Sequence, residues 1–268
     1  MAKEPTFWDH LEVLRGSLLR ILAAALVAAI AAFVCKDWLF QLVLAPKEPD
    51  FITYRFFARL GLALPEFDGR LINIELVQQL LIHMKVALCA GLLIVSPYIL
   101  YELFRFVSPA LYAAERSYAL KAVSAGYFMF LAGVALNYLL IFPLTYRFLG
   151  TYQVSAEVPN VTSLGTYVST LLMLCFMMGL VFELPVLCWL LAKMGLMQSQ
   201  WMKRYRRHAI VVILIVAAVI TPTADAFTLS LVALPIYLLY EASIFVVGRV
   251  EKKKMKSESN NNPQTQTQ

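Results

Sequence analysis

The chain is poor in charge. Only 15% of its 268 residues are Asp, Glu, Lys or Arg, while 60% are hydrophobic. A soluble domain carries about 25% charged and about 45–50% apolar residues. So few polar side chains cannot clothe a water-facing body of this size. The shortage excludes a disordered chain, a nucleic-acid-binding domain and an ordinary soluble enzyme. Cysteine is scarce as well. Cys35, Cys89, Cys175 and Cys188 lie in or at the ends of apolar runs, and none forms a C-x-x-C pair. They read as small core side chains rather than disulfide or metal-site partners. Histidine is limited to His10, His83 and His208, far apart in sequence. No H-E-x-x-H, G-x-S-x-G or Walker A pattern occurs. No cofactor is expected, and without a nucleotide motif any work the chain does is driven from outside it.

What the chain has instead is long apolar runs. A helix crossing the hydrocarbon needs about 20 mostly apolar residues. Leu18–Phe33, continued to Phe40 past Lys36 and Asp37, is the first such run. Val86–Val107, Val123–Leu144 with Asn137 inside it, and Tyr167–Ala192 with Glu183 and Pro185 inside it are the next three. Two shorter runs follow, Ala209–Ile220 and Phe227–Tyr240, the latter extending past Glu241 to Val247. Thr221–Ala226 between them reads as a turn. The first run is long and follows a structured-looking segment, which argues against a cleaved leader. The fold class is therefore all-α, a polytopic membrane protein with six spans.

The net charge is +6, and its distribution sets the topology. Sixteen of the 23 Lys and Arg residues fall in one alternating set of connections and seven in the other. Cytoplasmic loops carry the excess of basic residues. Both termini are thus expected in the cytoplasm. The expected divisions are a cytoplasmic amphipathic segment over 1–17, a membrane domain over 18–248, and a basic then disordered tail over 249–268. In the first outer loop, Pro46, Pro49 and Pro65 argue against one continuous helix. The tail from Ser257 is Ser, Asn, Gln and Thr with little to bury. No repeat of 20–50 residues is apparent.

Ionisable groups at membrane depth or its edges are the residues with chemistry to offer. Glu183 lies inside the fourth span beside Pro185; a protonated carboxyl bonded to a neighbouring helix is the structural alternative. Asp225, in the outer turn, fits simple turn chemistry. Glu241, near the inner part of the last span, fits an interhelical hydrogen bond. At the N-terminus, Thr6 with Asp9 reads as a helix N-cap pair. Phe7, Leu11, Leu14 and Leu18 then share one helical face, opposite a more polar face bearing Asp9, Glu12 and Arg15. This is an amphipathic lead-in at the lipid interface. Glu115 lies in the inner loop Ser108–Tyr118, where a solvated carboxylate paired with Arg116 is the plain reading.

Taken together, these segments resemble one family, TatC, the multispanning core of the twin-arginine protein translocase. The resemblance rests on His10-Leu11-Glu12-Val13-Leu14-Arg15, Ser96-Pro97-Tyr98, Ser108-Pro109-Ala110-Leu111-Tyr112, Glu115-Arg116, Phe182-Glu183-Leu184-Pro185, Thr221-Pro222, Leu234-Pro235 and Tyr240-Glu241. It implies six helices in a concave, glove-like arrangement with the last two short. It also implies binding of twin-arginine signal peptides, TatA- and TatB-type single-span partners, and self-association. Folded proteins would be exported across the cytoplasmic membrane of a bacterium on the proton-motive force. Glu115, Glu12, Arg116 and Arg15 are the residues the resemblance assigns to signal-peptide binding. Glu183 is the intramembrane functional residue, and Pro97, Pro185, Asp225 and Glu241 are partner or structural positions.

At the N-terminus the chain departs from the family pattern His-Leu-x-Glu-Leu-Arg. Val13 stands where the family has Glu, and Glu12 comes one residue earlier. One residue turns a helical side chain by about 100°. Arginine's planar fork matches a carboxylate bidentately, and a membrane edge with less water strengthens the pairing. Two other readings compete: a secondary transporter of a small solute using Glu183 and Asn137, and an intramembrane enzyme. The first lacks the internal repeat common in such folds. The second lacks a Ser–His, paired-Asp or metal constellation.

Overall fold

A computed structural model of the chain describes residues 7–61, 69–107, 119–153, 155, 160–221 and 225–261. It divides into two compact units, Met1–Phe176 and Met177–Gln268. In the first, α1 (Phe7–Val34) carries lead-in and first span as one uninterrupted helix. The candidate cap Thr6 lies outside the described residues. The helix closes at Cys35, and α2 (Lys36–Leu44) starts anew where Lys36 and Asp37 interrupt the apolar run. The proline-rich outer loop forms short pieces, as expected: a 3₁₀ turn at Ala45–Lys47 and α3 (Ile52–Arg59). A two-residue parallel ladder pairs β1 (Leu71–Ile72) with β2 (Thr162–Ser163).

The second span, α4 (Gln78–Val107), continues through Pro97. Proline removes the bond to the carbonyl four residues back. That carbonyl belongs to Leu93, and the Ser96 hydroxyl donates to it at 2.7 Å. In lipid no water would take this role. α4 lies directly against α1 because Gly91 has no side chain. A Cβ there would stand 2.6 Å from the Ala29 backbone nitrogen and 3.0 Å from the Ala25 carbonyl oxygen. Small residues at such crossings let two backbones approach in a membrane.

The third span is α5 (Ala119–Leu136), a π turn at Asn137–Ile141 and α6 (Phe142–Thr151). Asn137, expected as a polar interruption, sits at the π turn, and its amide donates to Cys175 Sγ at 3.1 Å. Pro143 leaves the Leu139 carbonyl free, and the Thr53 hydroxyl of α3 donates to that oxygen. Next to it the Tyr54 hydroxyl is shared between the carbonyls of Pro46 (2.9 Å) and Pro143 (3.1 Å). Burial pushes the Tyr54 phenol well above its usual range, against the pull of Arg147, so it stays a donor. The outer loop is thereby docked on the break in the third span.

The fourth span starts as α7 (Leu164–Phe182), turns at Glu183, and resumes in the second unit as α8 (Leu184–Lys193). Pro185 sits in the first turn of α8, where its missing N–H costs nothing. α8 ends on Gly195, at φ +77°. The Gly195 and Leu196 amides reach back to Ala192 (3.0 Å) and Leu191 (2.9 Å), the paired bonds of a Schellman cap. A short α9 (Ser199–Arg204) precedes α10 (Arg206–Ile220). α10 is a short span as expected, about 22 Å long at 1.5 Å per residue.

The last helix corrects the expectation that both final spans are short. α11 (Ala226–Asn261) is 36 residues long. Its apolar part continues past Glu241, and Glu251, the lysines and Met255 are good helix formers that extend it. It therefore takes in Ser257–Asn261, which composition assigned to a disordered tail. Within this unit Ala192, Met202, Ile244 and Val247 form a core joining α8, α9 and α11. Among the described residues five helices are long and apolar enough to cross a membrane, and α10 makes the sixth apolar helix.

Candidate functional site

The N-terminal end of α1 lies beside the C-terminal end of α4. There Glu12, Val13, Gly16, Ser17, Arg20, Arg105 and Phe106 line a groove of about 430 Å³. Glu12 and Val13 both reach it, so the one-residue displacement from the family pattern does not take the acid off this surface. Glu12 is exposed and has no hydrogen-bond or ion-pair partner among the described residues. Arg15 is also exposed but does not line the groove. Glu115 and Arg116 lie outside the described residues; in sequence they follow the end of α4 at Val107.

Sequence reasoning missed the acid that holds two of the groove's side chains, Ser17 and Arg20. Glu102 of α4 is 2% exposed. Its carboxylate accepts the Ser17 hydroxyl at 2.8 Å, the Tyr98 hydroxyl at 3.0 Å, and Arg20 Nε and Nη2 at 3.2 and 2.9 Å. Arg20 Nη2 also donates to Ser17 Oγ at 2.9 Å. The fork-on-carboxylate geometry ties α1 to α4. Its signal was legible: Ser17-x-x-Arg20 and Tyr98-x-x-x-Glu102 each place two polar groups on one helical face of an apolar run. The two acids thus differ. Glu102 is saturated by its own helices, and Glu12 is open.

The other singled-out residues fall elsewhere. Glu183 occupies the turn between α7 and α8, is 8% exposed, and its Oε1 has no hydrogen-bond partner among the described residues. The bond to a neighbouring helix offered as its structural alternative is thus absent there for that oxygen. Asp225 acts as the N-cap of α11, accepting the Thr228 amide at 2.7 Å, the turn chemistry its position suggested. Glu241 accepts Arg206 Nη2 at 2.7 Å and the Tyr237 hydroxyl at 3.3 Å, joining α10 to α11. Pro97 and Pro185 have the structural settings described above. All four cysteines are free thiols. His83 stacks on Phe33 at 3.8 Å, a packing role. Among the described residues no group of His, Cys, Asp and Glu is arranged to hold a metal.

A chain with five helices long and apolar enough to cross a bilayer among its described residues is a multi-pass membrane protein. Residues 9–235 match the family model of the Sec-independent protein translocase protein TatC. The chain is 32% identical over 261 residues to the TatC of Blattabacterium sp. subsp. Periplaneta americana, covering 94% of this chain and 98% of that one. It is 32% identical over 251 residues to the TatC of Aquifex aeolicus, covering 92% and 96%. A crystal structure of twin arginine translocase receptor TatC superposes with a TM-score of 0.73 at 28% identity, covering 90% of this chain and 99% of that one. A second, determined in DDM, gives 0.74 at 29% identity, with 88% and 98% covered. The chain belongs to the TatC family, and is a component of a Sec-independent protein translocase.

Proposed function

We propose that this chain is the signal-peptide receptor of its translocase, reading the paired arginines of cargo signal sequences with Glu115 and Glu12. The observation that carries the reading is the contrast between Glu12, which lines the α1–α4 groove, and the buried Glu102, which is bonded to the groove's Ser17 and Arg20. Glu102 is already filled by Ser17, Tyr98 and Arg20, while Glu12 has no partner among the described residues. An open carboxylate at a membrane edge is what an incoming guanidinium needs. In sequence, Glu115 comes eight residues after the end of α4 at Val107, the end of α4 that lines this groove.

TatA- and TatB-type single-span proteins are the proposed partners, and the proton-motive force the proposed energy source. The setting is the cytoplasmic membrane of a bacterium, with residues 1–17 and 249–268 on the cytoplasmic side and 18–248 in the bilayer. Glu183, buried at the kink between α7 and α8, serves transport or partner assembly rather than signal binding. Photo-crosslinking tests the receptor reading. A twin-arginine peptide is expected to crosslink to probes at Val13 and Ala114 and not to one at Trp38, which is 66% exposed in α2, past the far end of α1. Equal crosslinking at all three positions contradicts it.

A further inference from the structure

The second unit holds a groove of about 960 Å³ between the α8–α9 connection and the polar extension of α11. Five cationic side chains line it, Lys203, Arg206, Arg249, Lys252 and Lys254, against two carboxylates, Glu241 and Glu251. Both carboxylates are already engaged. Glu241 takes Arg206 at 2.7 Å, and Glu251 accepts the Ser199 amide at 2.9 Å and the Ser199 hydroxyl as well. Arg249 lies over the Phe245 ring at 4.1 Å. Lys203, Lys252 and Lys254 are exposed and have no ion-pair partner among the described residues. The Lys254 ammonium stands over Gly195, at the Schellman end of α8.

Met197, Phe245 and Met255 add apolar side chains to the lining, and Gln198, Ser199 and Gln200 add polar ones. The groove therefore combines surplus positive charge with apolar side chains, where the apolar run of α11 gives way to Glu251-Lys252-Lys253-Lys254. We infer that it is a binding site for the headgroup of an anionic phospholipid, with the phosphate on the unpaired lysines and the upper acyl chain against the exposed Phe245 and Met255. A basic pocket at the end of membrane helices is suited to this ligand chemistry. The surplus positive charge disfavours a cationic signal peptide here, so the site is separate from the α1–α4 groove and independent of the receptor reading.

The test uses the purified full chain in phosphatidylcholine nanodiscs titrated with phosphatidylglycerol, with bound lipid counted by native mass spectrometry. Two charge-matched variants are compared. The groove triple is Lys203→Gln, Lys252→Gln, Lys254→Gln; the off-groove triple is Arg204→Gln, Arg207→Gln, Lys253→Gln. The parent chain is expected to retain phosphatidylglycerol over phosphatidylcholine. The groove triple should lose at least about tenfold in affinity and the off-groove triple no more than about twofold. Equal losses in the two triples would mean diffuse surface attraction and overturn the site. So would a parent chain that does not discriminate between the two lipids. Displacement of the lipid by inorganic phosphate at equal concentration would overturn the assignment to a lipid rather than a free anion.

Discussion

At the scale of single residues, the value of a carboxylate depends on what already holds it. Glu102 is buried and receives four donor atoms. Removing Arg20 leaves the buried carboxylate with only the more distant Arg105, at 3.9 Å, whereas neutralising the acid leaves Arg20 free to turn to water. Arg20→Gln should therefore melt lower in detergent than Glu102→Gln; the reverse order would show that Arg20 is not the partner on which the contact depends. Glu12 and Glu115 are argued to act on an arriving ligand instead. Truncating one member of a desolvated, hydrogen-bonded charge pair costs about 2–5 kcal/mol. Glu115→Ala should thus weaken twin-arginine peptide binding by about 30-fold or more. Glu12→Ala should cost less, and Glu115→Asp should fall between. Glu183 carries a buried oxygen without a partner among the described residues. Glu183→Gln should fold normally, and Glu183→Ala should depress export more than peptide binding. Near-normal export by both would show the residue is dispensable.

At the scale of elements, the break in the fourth span was legible and the remedies for the prolines were not. Pro185 marks that break from sequence, whereas α4 runs on through Pro97 and Pro143 gave no sign of the turn in the third span. That Ser96 would take the Leu93 carbonyl, and that Thr53 of a distant outer helix would take Leu139's, depends on tertiary placement no local pattern encodes. Ser96→Ala should cost about 1 kcal/mol of stability. In a Pro97→Ala background the same change should cost almost nothing, because the restored amide bonds Leu93 itself. Additive losses in thermal melts of the four proteins would contradict the pairing. Gly91 shows the same limit: its spacing says nothing of the Ala25 and Ala29 backbone that it meets. Gly91→Ala overpacks that crossing and should cost about 1–3 kcal/mol. Helix ends were legible where caps are local, as at Asp225. The length of α11 was not, because its lysine-rich continuation carries no stop signal before its apolar run ends.

At the scale of the whole molecule, the alternation of apolar runs and basic clusters was enough to count six spans. It left the elements of the outer loop and the Glu102 cluster unseen, since both arise from contacts distant in sequence. The topology has a direct check in a native thiol. Cys35 is exposed just beyond α1, at the opposite end from Glu12. A membrane-impermeant maleimide should label Cys35 from outside intact cells, while a Met255→Cys probe in a Cys35→Ser background should stay unlabelled until the membrane is opened. The account's central claim is that the chain itself discriminates paired arginines through carboxylates. Binding of one signal peptide, in twin-arginine and twin-lysine forms, to the purified chain and its Glu115→Ala variant tests it most directly. The account predicts tight binding only for the twin-arginine form on the parent chain, since a point-charge ammonium cannot reproduce the bidentate fork. Equal affinity for the two peptides, or full binding by the Glu115→Ala chain, would contradict it.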